Sequence, residues 1–250
     1  MKIIKGIFSI LFLLILNFQL AGQEQVYELR TYELEFGRPE QVLHDYFKEA
    51  FIPAMNRQGV KNIGVFEEVG EALPKKLYVL IPYNDIAAFQ KSGELLIEDA
   101  KYIEDASPYL KISENLIPYS RITTDLIQST TGFPSLQKPA DNANFFELRI
   151  YESYNEDALR RKVKMFNDSE FGIFKDVGLP TVFFGSNIAG NNMPCLTYML
   201  GFKDKQAHTE AWGKFGPHPE WKRISNMEEY ANAMNNIIRV FLKPLPYSQL

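Results

Sequence analysis

The feature that most constrains this chain is an internal repeat. Tyr27 to Glu33 (YELRTYE) recurs as Phe146 to Glu152 (FELRIYE), with identity at Glu28/Glu147, Leu29/Leu148, Arg30/Arg149, Tyr32/Tyr151 and Glu33/Glu152. The same offset of 119 residues pairs Phe47 with Phe166, Pro53 with Gly172, Gly59 with Gly178, Tyr83 with Phe202 and Asp85 with Asp204. A register held without a gap from residue 27 to residue 85 marks a duplication, and two copies of one ancestor share one fold.

Pattern within a copy predicts that fold. Val26 to Glu33 alternates and is rich in β-formers, so it reads as a strand. From Arg38 to Gln58, Val42, Tyr46, Phe47, Ala50, Phe51 and Met55 recur at helical spacing, and Gly59 stands where a helix C-cap would. Val60 to Glu68 and Leu77 to Tyr83 read as two strands. Asp85 is placed to cap a second helix running to about Glu104, and Asn115 to Ile122 closes the copy as a fourth strand. The order βαββαβ is that of a split, ferredoxin-like α+β unit.

The second copy repeats it with strands Phe145 to Tyr154, Pro180 to Asn187, Cys195 to Phe202 and Asn236 to Leu242, and with helices from Glu156 to Asp176 and from Asp204. Its second helix is broken at Gly216-Pro217-His218-Pro219, because a proline disfavours helix in the residue before it. Residues 123–143, polar and without apolar periodicity, read as a linker. The resulting division is 1–22, a signal peptide; 24–122, the first unit; 123–143, the linker; and 144–250, the second unit.

The signal-peptide reading rests on Lys2 and Lys5, the apolar run Ile7 to Leu16, and the small residues Ala21 and Gly22. An apolar run this short favours a cleaved signal over a retained membrane anchor, which needs roughly 20 residues. The expected location is the periplasm or the exterior, with no stable membrane anchor after cleavage. Cleavage removes two lysines and takes the formal net charge from −4 to −6. An acidic chain without a basic cluster is a poor nucleic-acid binder. Cys195 is the only cysteine, so no intrachain disulfide forms and the core must hold by packing; on an apolar strand such a cysteine reads as a small hydrophobe.

Alternation divides the repeated strand into two faces. One carries Tyr27, Leu29 and Thr31, with Phe146, Leu148 and Ile150 in the second copy. The other carries Glu28, Arg30 and Tyr32, with Glu147, Arg149 and Tyr151. The apolar face is expected under the helices, leaving the Glu-Arg-Tyr face to line the space between two sheets. Apolar groups on both faces of Leu77 to Tyr83 and of Cys195 to Phe202 imply that these strands are covered on both sides, as two sheets closing into a barrel would be. The six polar residues can fix a small ligand in a barrel cavity. They can equally form an ion-pair ladder that sets strand register, and such ladders are the commoner use of paired charges.

Other chemistry is sparse. His44, His208 and His218 are the three histidines, none at a recognised metal spacing, and no metal site is read. His44 faces Val163 in the second copy, so the repeat gives it no support as a general base or haem ligand. Trp212 and Trp221 flank the Gly-Pro-His-Pro turn and form either a ligand wall with His218 or a packed helix corner. No phosphate loop, HExxH, GxSxG or CxxC is present.

Taken together, the strand Tyr27-Glu28-Leu29-Arg30-Thr31-Tyr32 and its second copy, the helix end Phe51-Ile52-Pro53-Ala54 with Gly59, the Tyr83-Asn84-Asp85 step and the His218-Pro219-Glu220-Trp221 turn resemble the NIPSNAP family. The likeness spans nearly all of the mature chain as two copies. The first has Gly93-Glu94-Leu95-Leu96 where the second has its tryptophan turn. The resemblance implies a dimeric α+β barrel formed within one chain. Related barrels include small monooxygenases and haem-handling enzymes, so haem is the one cofactor the resemblance admits; no cofactor is read from the residues. The expected function is binding of a small, partly apolar ligand, with homo-oligomers compatible. An oxygenase-like or haem-handling enzyme and a non-catalytic interaction module are the alternatives.

Overall fold

The computed structural model describes residues 24–250, so the signal-peptide segment lies outside the described residues. The first unit comprises β1 (Val26–Leu34), α1 (Gln41–Asp45), a π-helical segment Tyr46–Phe51, α2 (Ile52–Arg57), β2 (Gly64–Glu68), β3 (Lys76–Tyr83), α3 (Ile86–Glu98), α4 (Ala100–Asp105), α5 (Ser107–Leu110) and β4 (Tyr119–Ser129). The second comprises β5 (Phe145–Glu152), α6 (Glu156–Met165), a π-helical segment Phe166–Glu170, α7 (Phe171–Val177), β6 (Thr181–Ala189), β7 (Cys195–Phe202), α8 (Lys205–Phe215), α9 (Pro219–Ile224) and β8 (Asn236–Pro244).

Local signals place these elements. Asp85, Asn155 and Asp204 accept hydrogen bonds from the backbone N–H of Ala88, Ala158 and Ala207 at 2.7, 2.9 and 2.9 Å, starting three helices as N-caps do. Gly59 and Gly178 have φ of +87° and +80°, a left-handed turn out of the first helix of each unit that other residues adopt only with strain. Both first helices widen to π geometry at matching places, so the duplication preserved this irregularity as well as the strand motif.

Each unit forms a sheet ordered β4-β1-β3-β2 or β8-β5-β7-β6, and the two join edge to edge into one closed eight-stranded barrel. The seams are antiparallel pairings of β2 with β8 and of β4 with β6, so no sheet edge is left open. The C-terminal tail fastens the first seam: Leu245 N–H donates to the Val65 carbonyl and Gln249 N–H to that of Ile63, each at 2.9 Å. Among the described residues no helix is long and apolar enough to cross a membrane.

Two expectations need correction. The fourth strand of the first unit extends to Ser129, beyond Ile122, because Thr123 to Gln128 continue its pairing with β1 and Leu126 to Ser129 also pair with β6 of the other unit; the first part of the segment read as linker is therefore strand. The faces of the repeated strand are also reversed. Tyr27, Leu29, Phe146 and Leu148 point into the barrel with Phe66, Leu80, Phe183 and Met199 and fill it, whereas Tyr32 and Tyr151 belong to the two clusters under the helices. An eight-stranded barrel is just wide enough for side chains to fill. The polar trio therefore lies in the layer where helical side chains can satisfy it.

Seam geometry gives a stability test. A Cβ on the buried Gly185 would stand 2.3 Å from the Gln128 carbonyl oxygen across the β4–β6 seam, while one on the exposed helical Gly172 meets nothing within 4 Å. Gly185→Ala should lower the unfolding free energy in urea by about 1–3 kcal/mol. Gly172→Ala should raise it by about 0.5–1 kcal/mol.

Candidate functional site

The repeated Glu-Arg-Tyr positions begin the same polar arrangement in both units and complete it differently. In the first, Arg30 donates to Glu28 twice, from Nε at 2.6 Å and Nη2 at 3.0 Å, and Tyr83 donates to the same carboxylate at 3.1 Å. The guanidinium lies 5.1 Å from the Phe51 ring centroid. Buried apolar and phenolic side chains of the first helix cover the pair, and Ser92 lies 3.3 Å from the Tyr83 hydroxyl beyond it, so the first unit contains a closed ion pair.

The second unit carries more polar groups. Arg149 Nε donates to Glu147 Oε1 at 2.8 Å, while Trp212 Nε1 donates to Oε2 at 2.7 Å and His208 Nε2 lies 3.0 Å from the same oxygen. Because an ionised carboxylate only accepts, the His208 contact requires a proton on Nε2. Phe202 and His208 occupy the positions of Tyr83 and Phe89, and each pair meets edge to face. The aromatic contact has been kept while the polar partner of the glutamate has moved from strand to helix.

Arg149 stacks at 3.7 Å on the Trp212 ring centroid and donates from Nη1 to the Tyr151 oxygen at 3.0 Å; Tyr198 donates to that oxygen at 2.7 Å. Burial pushes the Tyr198 hydroxyl well above the ordinary phenol range, helped by the neighbouring Tyr151, so it remains a donor. Burial opposes the charge of Arg149, but Tyr198, Tyr151 and Glu147 outweigh it and hold the guanidinium protonated.

Above this ladder lies a second ion pair, Lys162 with Glu170. Their residues are 4% and 2% exposed. The ammonium lies 4.9, 5.6 and 5.7 Å from the ring centroids of Phe166, Tyr151 and Trp221. Burial raises the pKa of the Glu170 carboxyl, against the pull of Lys162 and Arg149. A cleft of ≈ 280 Å³ opens over Lys162, walled by Met165, Trp221, Tyr230 and Met234. Its far wall is pinned by Arg161 Nη1, which donates to the carbonyls of Glu229 and Ala231 at 2.9 and 2.8 Å.

The structure thus brings Glu147, Arg149, Tyr151 and Trp212 into one network and sets Trp221 in the wall of the cleft over Lys162. Glu28, Arg30 and Tyr32 lie in the other unit's layer. His44 joins neither: its Nδ1 is 2.7 Å from the Tyr247 hydroxyl, which ties the C-terminal tail to the first helix. His218 caps α9, its Nδ1 accepting from Glu220 N–H at 3.3 Å. The sequence reading missed Lys162, Glu170 and Tyr198. Their signal is visible when the copies are aligned, since the offset of 119 sets them against Leu43, Phe51 and Val79.

Haem iron takes histidine, cysteine, methionine or tyrosine ligands. Each of the three histidines has one ring nitrogen within 3.3 Å of a protein partner, as a ligating imidazole also does; none lines the cleft over Lys162, so that cleft offers a haem no histidine. Cys195 is also inert: fully buried, its thiol is pushed up to about 12, chiefly by that burial. Larger clefts beside the β2–β3 loop are lined by exposed loop side chains such as Phe36 and Leu73, away from the buried charges.

Among solved structures the fold is similar to that of a proposed monooxygenase from Fusobacterium nucleatum, at a TM-score of 0.57 and 12% identity over 89% of this chain and 93% of that one. A proposed monooxygenase from Lactobacillus acidophilus gives 0.57 and 11% over 88% and 94%. An anthrone oxidase-like protein gives 0.50 and 7% over 90% and 93%. At such identities the likeness concerns the fold. No curated protein sequence matches the chain. The NIPSNAP sequence profile matches residues 27–116 and 146–249, one match per unit, and the chain belongs to the NIPSNAP family.

Proposed function

We propose that this NIPSNAP protein is an exported binder of a small, partly apolar ligand, and that the ligand enters the second unit through the cleft over Lys162. One observation carries this reading. Where the first unit buries Leu43 and Phe51, the second buries Lys162 and Glu170. A buried ion pair gains little over well-packed apolar groups of similar volume, and often less than they do. The first unit demonstrates that an apolar solution fits this fold at this place, so stability alone gives no reason for the charges. Buried ionisable groups beside a cleft mark candidate binding sites. Tyr151, whose ring centroid is 5.6 Å from the Lys162 ammonium, connects this pair to the Glu147, Arg149 and Tyr198 network.

An oxygenase-like enzyme is the second reading, favoured by a fold shared with proposed monooxygenases and by hydroxyl, ammonium and carboxyl groups suited to moving protons beside the cleft. Under that reading the bound compound consumes oxygen and leaves altered.

Gently purified protein should carry a small molecule in native mass spectra that is lost from the Lys162→Leu/Glu170→Phe variant, which installs the first unit's side chains. Equal retention by that variant would remove the site from this cleft. Protein recovered from the exporting cell should lack residues 1–22 by intact mass.

The ion pair also makes a stability prediction. Lys162→Met leaves the Glu170 charge buried and unpaired, at a cost of about 3–5 kcal/mol at neutral pH. The folded-state pKa of Glu170 is raised, so the folded state holds its proton more tightly than the unfolded chain does. Its stabilisation is therefore present at acid pH and lost as pH rises past the ordinary carboxylate range. Without Lys162 that slope steepens, and urea titrations from pH 4 to pH 7 should show the variant's deficit growing with pH. The double variant should show no deficit.

A further inference from the structure

The electrostatic state of the cleft limits what it can take. The third N–H of Lys162 is free: one is given to Glu170 and one to the Met165 thioether at 3.5 Å, and an ammonium has three. Its charge is already matched by Glu170, and that of Arg149 beneath is matched by Glu147. An anion brought against Lys162 would add a charge with no counter-ion of its own beside a buried, already neutral pair, at a desolvation cost. A cation would meet Lys162 directly. A neutral acceptor atom would take the spare N–H without disturbing either pair. Met165, Trp221 and Met234 give the cleft flat apolar surface, while Ser225, Tyr230 and Asn232 add polar groups to its lining; ≈ 280 Å³ is just below the usual range of ligand-pocket volumes, which restricts an occupant to a small ring system.

We infer that the second unit binds an uncharged aromatic or alicyclic carbonyl compound, with its carbonyl oxygen accepting a hydrogen bond from Lys162 and its ring against Trp221. This rests on the cleft being the ligand site and adds the chemical class. Lys162 is the specificity-determining residue. Glu170 has a different part: it neutralises the ammonium so that Lys162 acts as a donor and does not recruit anions. The first unit, with Leu43 and Phe51 at these positions, offers no such donor.

Three probes of one shape separate the terms: acetophenone, benzoate and ethylbenzene, titrated at neutral pH against the mature chain and followed by tryptophan fluorescence. A hydrogen bond from a charged donor is worth about 1.5–3 kcal/mol, so acetophenone should bind at least about tenfold more tightly than ethylbenzene, and more tightly than benzoate. In the Lys162→Leu/Glu170→Phe variant, shown to be folded by circular dichroism, the preference for acetophenone should disappear. Benzoate binding as well as acetophenone, or ethylbenzene doing so, in a manner lost in the double variant, would overturn the chemical class and leave the site standing. If no probe binds the wild-type chain, or if all three bind the double variant as they bind the wild type, the site itself falls and the class falls with it.

Discussion

Everything in the sheet–helix layer depends on two arginines that the repeated strand places beneath helices. A guanidinium does not lose its charge inside a protein, so each buried arginine must have a carboxylate and donors must fill that carboxylate's remaining lone pairs. Glu28 and Glu147, two residues before the arginines on the same strand face, provide the first condition from within the motif. The second is met by whatever the neighbouring elements offer. Tyr83 does it from β3 in one unit; Trp212 and His208 do it from α8 in the other. The motif therefore acts as a socket whose carboxylate dictates the chemistry of the groups that reach it.

That division explains how the copies could diverge without losing the barrel. The seams, the lumen and the capping residues depend on backbone pairing and on apolar volume, and these are alike in both halves. The helix-facing layer is more tolerant, because a group added there needs only a local partner. Lys162 and Glu170 satisfy each other. The first unit spends the same space on Leu43 and Phe51 and on a set of tyrosines around Tyr46, which stacks on Tyr109 at 3.9 Å. One half thus has the composition of a core. The other keeps buried charge next to a cleft.

Much of the fold was legible because its signals are local. The period-two strands, the cap residues Asp85 and Asp204, the left-handed Gly59 and Gly178 and the proline break in the last helix pair each depend on a few adjacent residues. The faces of β1 and β5 were not legible. Both faces end up buried, one against the lumen and one against helices, and alternation distinguishes apolar from polar without saying which layer is which. The extension of β4 to Ser129 was hidden for a related reason: a polar stretch without apolar periodicity is strand because of distant partners on β1 and, from Leu126, on β6. Lys162 and Glu170 escaped notice because they are eight residues apart, beyond the three or four at which helical neighbours pair. The π-helical segment Phe166–Glu170 changes the helix phase between them.

Duplication supplies the reference state that a lone sequence lacks. A buried lysine–glutamate pair read by itself is ambiguous, since structural networks and ligand sites both contain them. Against a second copy of the same fold the question becomes what the charges do that Leu43 and Phe51 cannot. Packing is not the answer, since the apolar pair is as well buried. Register is not the answer either, because Lys162 and Glu170 both lie on the helical layer and not on a strand. What remains is the spare N–H of Lys162 beside a cleft walled in part by Met165, Trp221 and Met234, a donor held ready in a place where leaving it unpaired has a cost and pairing it gives selectivity.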